Sequence, residues 1–281
     1  MLDLISKPGE TEIARLRKGE LPDDNMWWSW WGEFRNFGDW LGPYIYNKRT
    51  GRRPRYCAPG HVPEGVTVHF TCGSIMQKIR KKNRAMVWGT GIKDPDQWFA
   101  RPKSIAAVRG PLTRRVLEQR KFDAPEVLGD PGLCMPELYQ PSSTEKKFRA
   151  GIIPHVYDMP FWQQNLTLLP PEAVLIDLRH PVEAVIDQIA CCEATLSSSL
   201  HGIIESHAYG VPSCWMASFS SEVSQDFKFR DYFGSVGMDL TSRDRRKIGL
   251  PFDLGDYEDD VALPPADLAE MSRRLLGVCP F

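Results

Sequence analysis

The sequence predicts an α/β protein made of two Rossmann-like halves that face a cleft. Three observations carry this. Short apolar runs alternate with segments of helical spacing, the pattern of parallel strands joined by crossover helices. A polar stretch at residues 139–148 interrupts the alternation once, after which it starts again. Several apolar runs end in glycine or serine, where the carboxyl ends of parallel strands leave room for a ligand. The two halves are expected over residues 1–140 and 141–281.

In the first half, the apolar run Val66–Thr71 leads into Gly73-Ser74-Ile75. The basic segment Met76–Arg84 is expected to be helical. Next comes the apolar run Ala85-Met86-Val87-Trp88, ending in Gly89-Thr90-Gly91. A further strand, Ser104–Val108, passes into Arg109-Gly110-Pro111-Leu112-Thr113. Pro111–Arg120 is expected to be a helix, because apolar residues fall at 112, 116 and 117 and the proline gives up an N–H that has no partner in a first turn. Pro125–Leu128 and Gly129-Asp130-Pro131-Gly132 follow.

Pro141, two serines and Lys146-Lys147 mark residues 139–148 as a linker. Beyond it, Ala150–His155, Ala173–Asp177, Ala194–Ser197 and Ser213–Met216 read as strands. Pro181–Cys191 has helical spacing, and a helix from Ser198-Ser199-Leu200-His201-Gly202 through Ala208 stops at Gly210-Val211-Pro212. An acidic run (Asp256, Glu258, Asp259, Asp260) precedes a last helix over 265–276, which has the option of packing back on the first half.

Composition narrows the function. The 281 residues carry 35 Lys+Arg against 36 Asp+Glu, a net charge of −1, which argues against a dedicated nucleic-acid binder. No window approaches the ~18 apolar residues of a membrane-spanning helix. Met1–Pro8 has neither a basic start nor an apolar run, so no secretory signal is expected. The seven cysteines are odd in number, scattered and free of any C-x-x-C pair, which suits a reducing compartment and neither a zinc knuckle nor a disulfide framework. There is no G-x-x-x-x-G-K-[ST], H-E-x-x-H or G-x-S-x-G, and no metal is expected.

Ser198–Gly202 sits where a strand gives way to a helix. The amides and dipole of a helix start favour an anion there, with His201 beside it, the alternative being a capped helix and a buried histidine. Arg109 ends a strand of the first half similarly, and arginine clamps carboxylate or phosphate bidentately. Lys228 offers a point charge to the same anion, or is a solvated helix lysine. Asn36-Phe37-Gly38-Asp39 is either a turn or a device that presents Asp39 to a sugar hydroxyl. Trp27, Trp28, Trp30 and Trp31 precede it, as core or as a platform for sugar faces. Two basic clusters, Lys48–Arg55 and Lys78–Arg84, are solvated faces or contacts for anionic headgroups or a diphosphate.

Taken in order, Asn36-Phe37-Gly38-Asp39, Gly73-Ser74-Ile75, Trp88-Gly89-Thr90-Gly91, Val108–Thr113, Leu128–Gly132, Ser199-Leu200-His201-Gly202 with Gly210-Val211-Pro212, and Lys228 resemble the polysaccharide pyruvyl transferase family. The likeness is greatest to the bacterial exopolysaccharide ketal-pyruvyl transferases. It spans roughly residues 33 to 235. The resemblance implies a fold like the GT-B glycosyltransferases and phosphoenolpyruvate as co-substrate, with no other cofactor. It also implies a saccharide acceptor, on a lipid carrier at the cytoplasmic face of the membrane. Arg109 and Lys228 would hold the donor's anionic groups, assisted by amides near Ser198, Ser199 and Gly202. His201 would protonate the enol methylene. Asp39 would orient or deprotonate the acceptor hydroxyl, with Asn36, Trp31 and Trp40 on the acceptor side. Ser199 stands where many members have arginine, and Arg179, at another strand end, is the candidate replacement.

Two other classes fit parts of the pattern. A nucleotide-sugar glycosyltransferase would use Glu205, with Ala208, Gly210 and Pro212 behind it, to bind a ribose. A non-catalytic glycan-binding protein would use the tryptophan-rich region and would have no need of the Arg109, His201 and Lys228 set.

Overall fold

Among the described residues every strand-to-strand pairing in the two sheets is parallel, as crossover connections require, and a single antiparallel bridge joins Ser213 to Ala262. The computed structural model describes residues 27–29, 35–60, 64, 67–218, 226–238 and 253–281. The first sheet contains β1 (Trp27–Ser29), β2 (Arg55–Cys57), β3 (Thr67–Phe70), β4 (Arg84–Trp88) and β5 (Ser104–Ala107), in the order β2-β1-β3-β4-β5. A parallel bridge from Val108 to Leu128 extends its edge. The second holds β6 (Phe148–Ile153), β7 (Ala173–Leu175), β8 (Cys192–Ser197) and β9 (Ser213–Trp215), in the order β7-β6-β8-β9. All four residues of β3 are buried, as expected of a strand covered on both faces. In both sheets the strand order reverses beside the first strand, between β1 and β3 and between β6 and β8. That reversal opens a crevice at the carboxyl ends.

Seven α-helices lie among the described residues: α1 (Phe37–Thr50), α2 (Pro111–Gln119), α3 (Met159–Gln164), α4 (Val182–Ala190), α5 (Leu200–Ala208), α6 (Asp226–Ser235) and α7 (Leu268–Gly277). α4 buries Val182, Val185, Ile186 and Ile189, the three-and-four spacing that gave it away in the sequence. Residues 138–147 contain neither helix nor strand.

Two local expectations differ from the structure. Met76–Arg84 is not a helix. Only Met76–Lys78 makes a 3-10 turn, after which the Asn83 side chain accepts from the Arg80 amide at 2.6 Å and the Asn83 amide donates to Arg80 O at 2.9 Å. That turn replaces helical bonds, and beyond Met76 and Ile79 the Lys/Arg run has no apolar stripe to bury. Asn36–Asp39 is not an isolated turn but the start of the fourteen-residue α1, whose first amides Asp39 N and Trp40 N donate to Asn36 O. The helix buries Phe37, Leu41, Tyr44 and Ile45 and ends at Gly51 in the left-handed region (φ 69°).

α6 and α7 follow the second sheet in sequence yet pack against the first. Leu275 O on α7 accepts from Trp88 Nε1 at 2.9 Å, and the Phe281 ring meets Tyr46, His69 and Trp88 edge-on. Asp231 on α6 binds the start of α2. One apolar cluster consequently runs from Phe37, Leu41 and Trp88 to Ile153, Ile203 and Leu275.

Candidate active site

The carboxyl ends of the two sheets converge. Phe37 N, at the start of α1, donates to Leu178 O beyond β7 at 2.8 Å. The next residue, Gly38, lies flat against the imidazole of His201 in the first turn of α5. A Cβ on Gly38 would fall 1.9 Å from His201 Nδ1, so this approach needs glycine. Asp39 follows, with its Oδ1 3.7 Å from where a Gly73 Cβ would stand, beyond β3. Residues from both crevices therefore meet in one place.

Their electrostatics are coupled. Burial pushes the Asp39 carboxyl up to about 6, opposed by His201, a hydrogen bond from Asn36, and Lys228. Burial, reinforced by Arg109 and Lys93, pulls the Lys228 ammonium down to about 7, against the pull of Asp39. Lys228 is 9% exposed and among the described residues pairs with no carboxylate. His155, at the end of β6, is held down near 3 by burial, Lys228 and Lys93. The Tyr157 ring, 57% exposed, lies 5.0 Å from that of His155. Cations, a carboxyl group of near-neutral affinity for protons and histidines are thereby gathered into one site where the two sheets meet.

Arg109 has a different place from the expected open clamp. It is fully buried, with Nε on Asp231 Oδ2 at 3.1 Å, Nη1 on Ser74 Oγ at 2.8 Å and Nη2 on Ile92 O at 3.0 Å. Asp231 also accepts from Thr113 N (2.9 Å) and Thr113 Oγ1 (2.6 Å). A Cβ on Gly110 would sit 1.8 Å from Asp231 O, so the glycine lets α6 touch the strand end. Lys228 stands three residues before Asp231, on the same face of α6. The buried pair thereby sets the register that brings Lys228 into the pocket.

The serine run is likewise occupied by the fold. Ser198 Oγ accepts from His155 N at 2.8 Å and donates to Asp158 Oδ2 at 2.8 Å. Ser199 is the N-cap of α5, and its amide donates to Ser197 Oγ at 3.1 Å. Gly202 faces the sheet, where a Cβ would fall 2.3 Å from Ser197 Oγ, so its smallness serves helix–strand packing and not ligand approach. Arg179 grips its own neighbour Asp177 through Nε and Nη2, at 2.9 and 2.6 Å, with its side chain 41% exposed. Asn36 and Trp40 flank Asp39 at the start of α1. Trp31 lies outside the described residues, as do Trp30 and the side chains of Trp27 and Trp28.

Glu205 is fully buried, so it does not face an open nucleotide slot. The exposed Arg52, Arg53, Arg80, Lys81 and Lys82 precede β2 and β4, at the amino end of the first sheet. That is the opposite end of the sheet from Gly73 and Asp39. Among the described residues no group of His, Cys, Asp and Glu has the arrangement of a metal site, and no helix is long and apolar enough to cross a membrane.

His155, Lys93 and Asp158 had no role in the sequence reading. The available signal was position: His155 ends the strand next to the second crevice. Nothing in the exposed stretch around Lys93 indicated that it faces His155 across the cleft.

Residues 68–221 match the family model described as polysaccharide pyruvyl transferase. A curated relative, the succinoglycan biosynthesis protein ExoV of Rhizobium meliloti (strain 1021), is 27% identical over 237 residues, 77% of this chain and 66% of that protein. The protein L143 of Acanthamoeba polyphaga mimivirus is 30% identical over 178 residues, 61% of each chain. The chain thus spans under two thirds of the length of either relative. A crystal structure of an α1,3-fucosyltransferase aligns with 90% of the chain and 89% of its own at 10% identity and a TM-score of 0.24, a likeness that supports no argument.

Proposed function

Because the chain belongs to the polysaccharide pyruvyl transferase family, we propose that it transfers pyruvate from phosphoenolpyruvate to two hydroxyls of a hexose in an exopolysaccharide repeat unit. The products are a cyclic pyruvate ketal and phosphate. The observation that carries the reading is Lys228: a buried ammonium, unpaired among the described residues, beside a histidine and a carboxyl of near-neutral proton affinity. A buried cation of this kind is costly unless an anion meets it. A small donor with a phosphate and a carboxylate fits the cations Lys228 and Lys93 without requiring a base or ribose slot.

In this reading protonated His201 gives its proton to C3 of the enol, and positive charge develops at C2. The first sugar hydroxyl adds there and loses its proton to Asp39, whose near-neutral affinity suits a general base. The second hydroxyl then displaces phosphate from C2, closing the ketal. Its proton leaves with the phosphate or returns through His201. Lys228 and Lys93 neutralise the donor while it is bound and the phosphate as it departs.

The two sheets with their reversed strand orders form the two halves of a GT-B-like enzyme, divided near residue 140. A lipid-linked acceptor brings the enzyme to the cytoplasmic membrane face. The exposed basic residues at the amino end of the first sheet would meet anionic headgroups there, a contact that salt would weaken. The buried Glu205 removes the feature that favoured nucleotide sugars.

The test is calorimetry with phosphoenolpyruvate and, separately, a panel of nucleotide sugars. Phosphate release and acceptor NMR follow, with undecorated repeat-unit oligosaccharide as acceptor. Saturable phosphoenolpyruvate binding, with a new ketal methyl signal that His201→Ala abolishes, is the expected result. Nucleotide-sugar binding without phosphoenolpyruvate binding would overturn the proposal.

A further inference from the structure

We propose that Asp130 is a positioning residue for His201: its carboxylate takes the Nε2–H of the imidazole and leaves Nδ1, the nitrogen on the Gly38 side, to exchange protons in the cleft. The catalytic consequence rests on the pyruvyl-transfer reading, whereas the tautomer does not.

Asp130 is fully buried and caps a 3-10 helix, Pro131–Glu137, its Oδ1 accepting from Gly132 N at 3.0 Å. Its other oxygen, Oδ2, points to His201 Nε2 at 3.6 Å. That is longer than a hydrogen bond, yet both atoms are buried and neither has another partner. An orphaned buried acceptor beside an orphaned buried ring nitrogen costs free energy on each side, and a small ring movement satisfies both. Contacts of this type commonly tighten when substrate binds. The His201 side chain is 11% exposed, and Nε2 is on its buried side. Its opposite nitrogen, Nδ1, abuts Gly38, next to Asp39.

A second carboxyl lies beside Asp130. Glu205, one turn beyond His201 on α5, is fully buried and neither oxygen has a hydrogen-bond partner. Burial first, then the charge of Asp130, raises its pKa well above the carboxylate range, which favours its neutral form. Room for two carboxyls comes from Gly132, where a Cβ would lie 2.6 Å from Glu205 Oε1 and 3.4 Å from Asp130 Oδ1. The titratable groups around His201 are Asp39 from α1, Asp130 before the 3-10 helix, Glu205 on its own helix and Lys228 from α6 beyond Asp39, with Cys72 and Tyr232 close to the Asp130 and Glu205 carboxyls. In the reaction, Asp130 stabilises the imidazolium before Nδ1 gives up its proton to C3. The neutral ring afterwards keeps its Nε2–H, and Nδ1 regains a proton from an acceptor hydroxyl.

The experiment is long-range proton–nitrogen NMR of ring-labelled histidine in the whole protein, with His201→Gln to assign the signals. The neutral His201 ring is expected as the Nε2–H tautomer. In Asp130→Asn the side-chain oxygen keeps accepting from Gly132 N, which turns the amide nitrogen toward Nε2 and should shift the neutral ring to the Nδ1–H tautomer, whereas Glu205→Gln should leave the tautomer in place. A neutral ring protonated at Nδ1 in the unsubstituted protein, or a tautomer unmoved in folded Asp130→Asn, overturns the proposal. The spectrum needs no donor, so an Nε2–H ring in a protein that fails to bind phosphoenolpyruvate would support the Asp130 contact while refuting pyruvyl transfer. Given turnover, Asp130→Asn should lower kcat and leave KM for phosphoenolpyruvate within twofold.

Discussion

Replacing Arg109 with methionine separates a buried tie from an open donor clamp. The side chain is fully buried, and its loss would leave the equally buried Asp231 carboxylate with only the two Thr113 donors. Removing one partner of such a pair costs about 3–5 kcal/mol, because the other charge stays buried and uncompensated. At about 2 °C per kcal/mol for a chain of this size, the melting temperature should fall by roughly 6–10 °C. The double variant Arg109→Met with Asp231→Leu should recover part of that loss, since an apolar pair carries no buried charge. Recovery should stop about 1–3 kcal/mol short, because Thr113 N then has no acceptor. Scanning calorimetry of the three proteins, with phosphoenolpyruvate titrations at 15 °C, reads both quantities. An unchanged melting temperature in Arg109→Met together with abolished donor binding would refute the reasoning and restore the clamp.

Three further outcomes follow from the pocket. With Lys228 near 7 in the free protein, an anionic donor raises its proton affinity, so binding takes up protons above pH 7 and weakens up to tenfold per pH unit there. Titrations in buffers of different ionisation heat should show the uptake, and Lys228→Arg, which stays charged, should abolish it. Asp39 has a folded value near 6, above the ordinary 3.8 of an aspartate, so its stability contribution is complete below 3.8 and is lost as pH rises through 6. Asp39→Asn, which cannot ionise, should therefore melt progressively higher relative to the unsubstituted protein between pH 4 and 7 while losing turnover. Gly38→Ala puts a methyl where the His201 ring lies, and a displacement of this order can cost about 10²-fold in rate. Kinetics should show that fall in kcat with phosphoenolpyruvate affinity, read by calorimetry, nearly intact.

β3 to β9 were legible because buried parallel strands read as short apolar runs, and α2, α4 and α5 because their stripes are clean. β1 and β2 were not, being three residues each, one inside a run of tryptophans and the other beginning on the arginine of a basic cluster. α1 was not. Its stripe of Phe37, Leu41, Tyr44 and Ile45 is interrupted by Gly38, Gly42 and Pro43, residues that individually argue against a helix. Met76–Arg84 failed in the opposite way, since lysine and arginine favour helices locally but offered nothing to bury. At the site, His201, Asp39 and Lys228 were singled out by type and position, and the structure places them near one another. The partners of Arg109 were invisible: Asp231 lies 122 residues along the chain, and no local pattern reports that two charges will meet in the core.

The placement of α6 ties the stability of the fold to the chemistry proposed for it. Lys228 belongs, by sequence, to the half containing β6–β9, but the helix that carries it is bolted to the first half by Asp231, Arg109 and Thr113. His201 enters from the second sheet and Asp39 from the first. An anion between them would be touched by groups whose positions depend on the contact between the halves. Any relative movement of the sheets would shift His201 against Gly38 while Lys228 stayed with Asp39. The close fit of ring to glycine therefore makes the proton-transfer geometry more sensitive to such movement than the electrostatic hold on the donor. Substitutions at the α1–α5 contact should act on turnover before affinity, and substitutions in the Arg109–Asp231 tie on affinity and stability together.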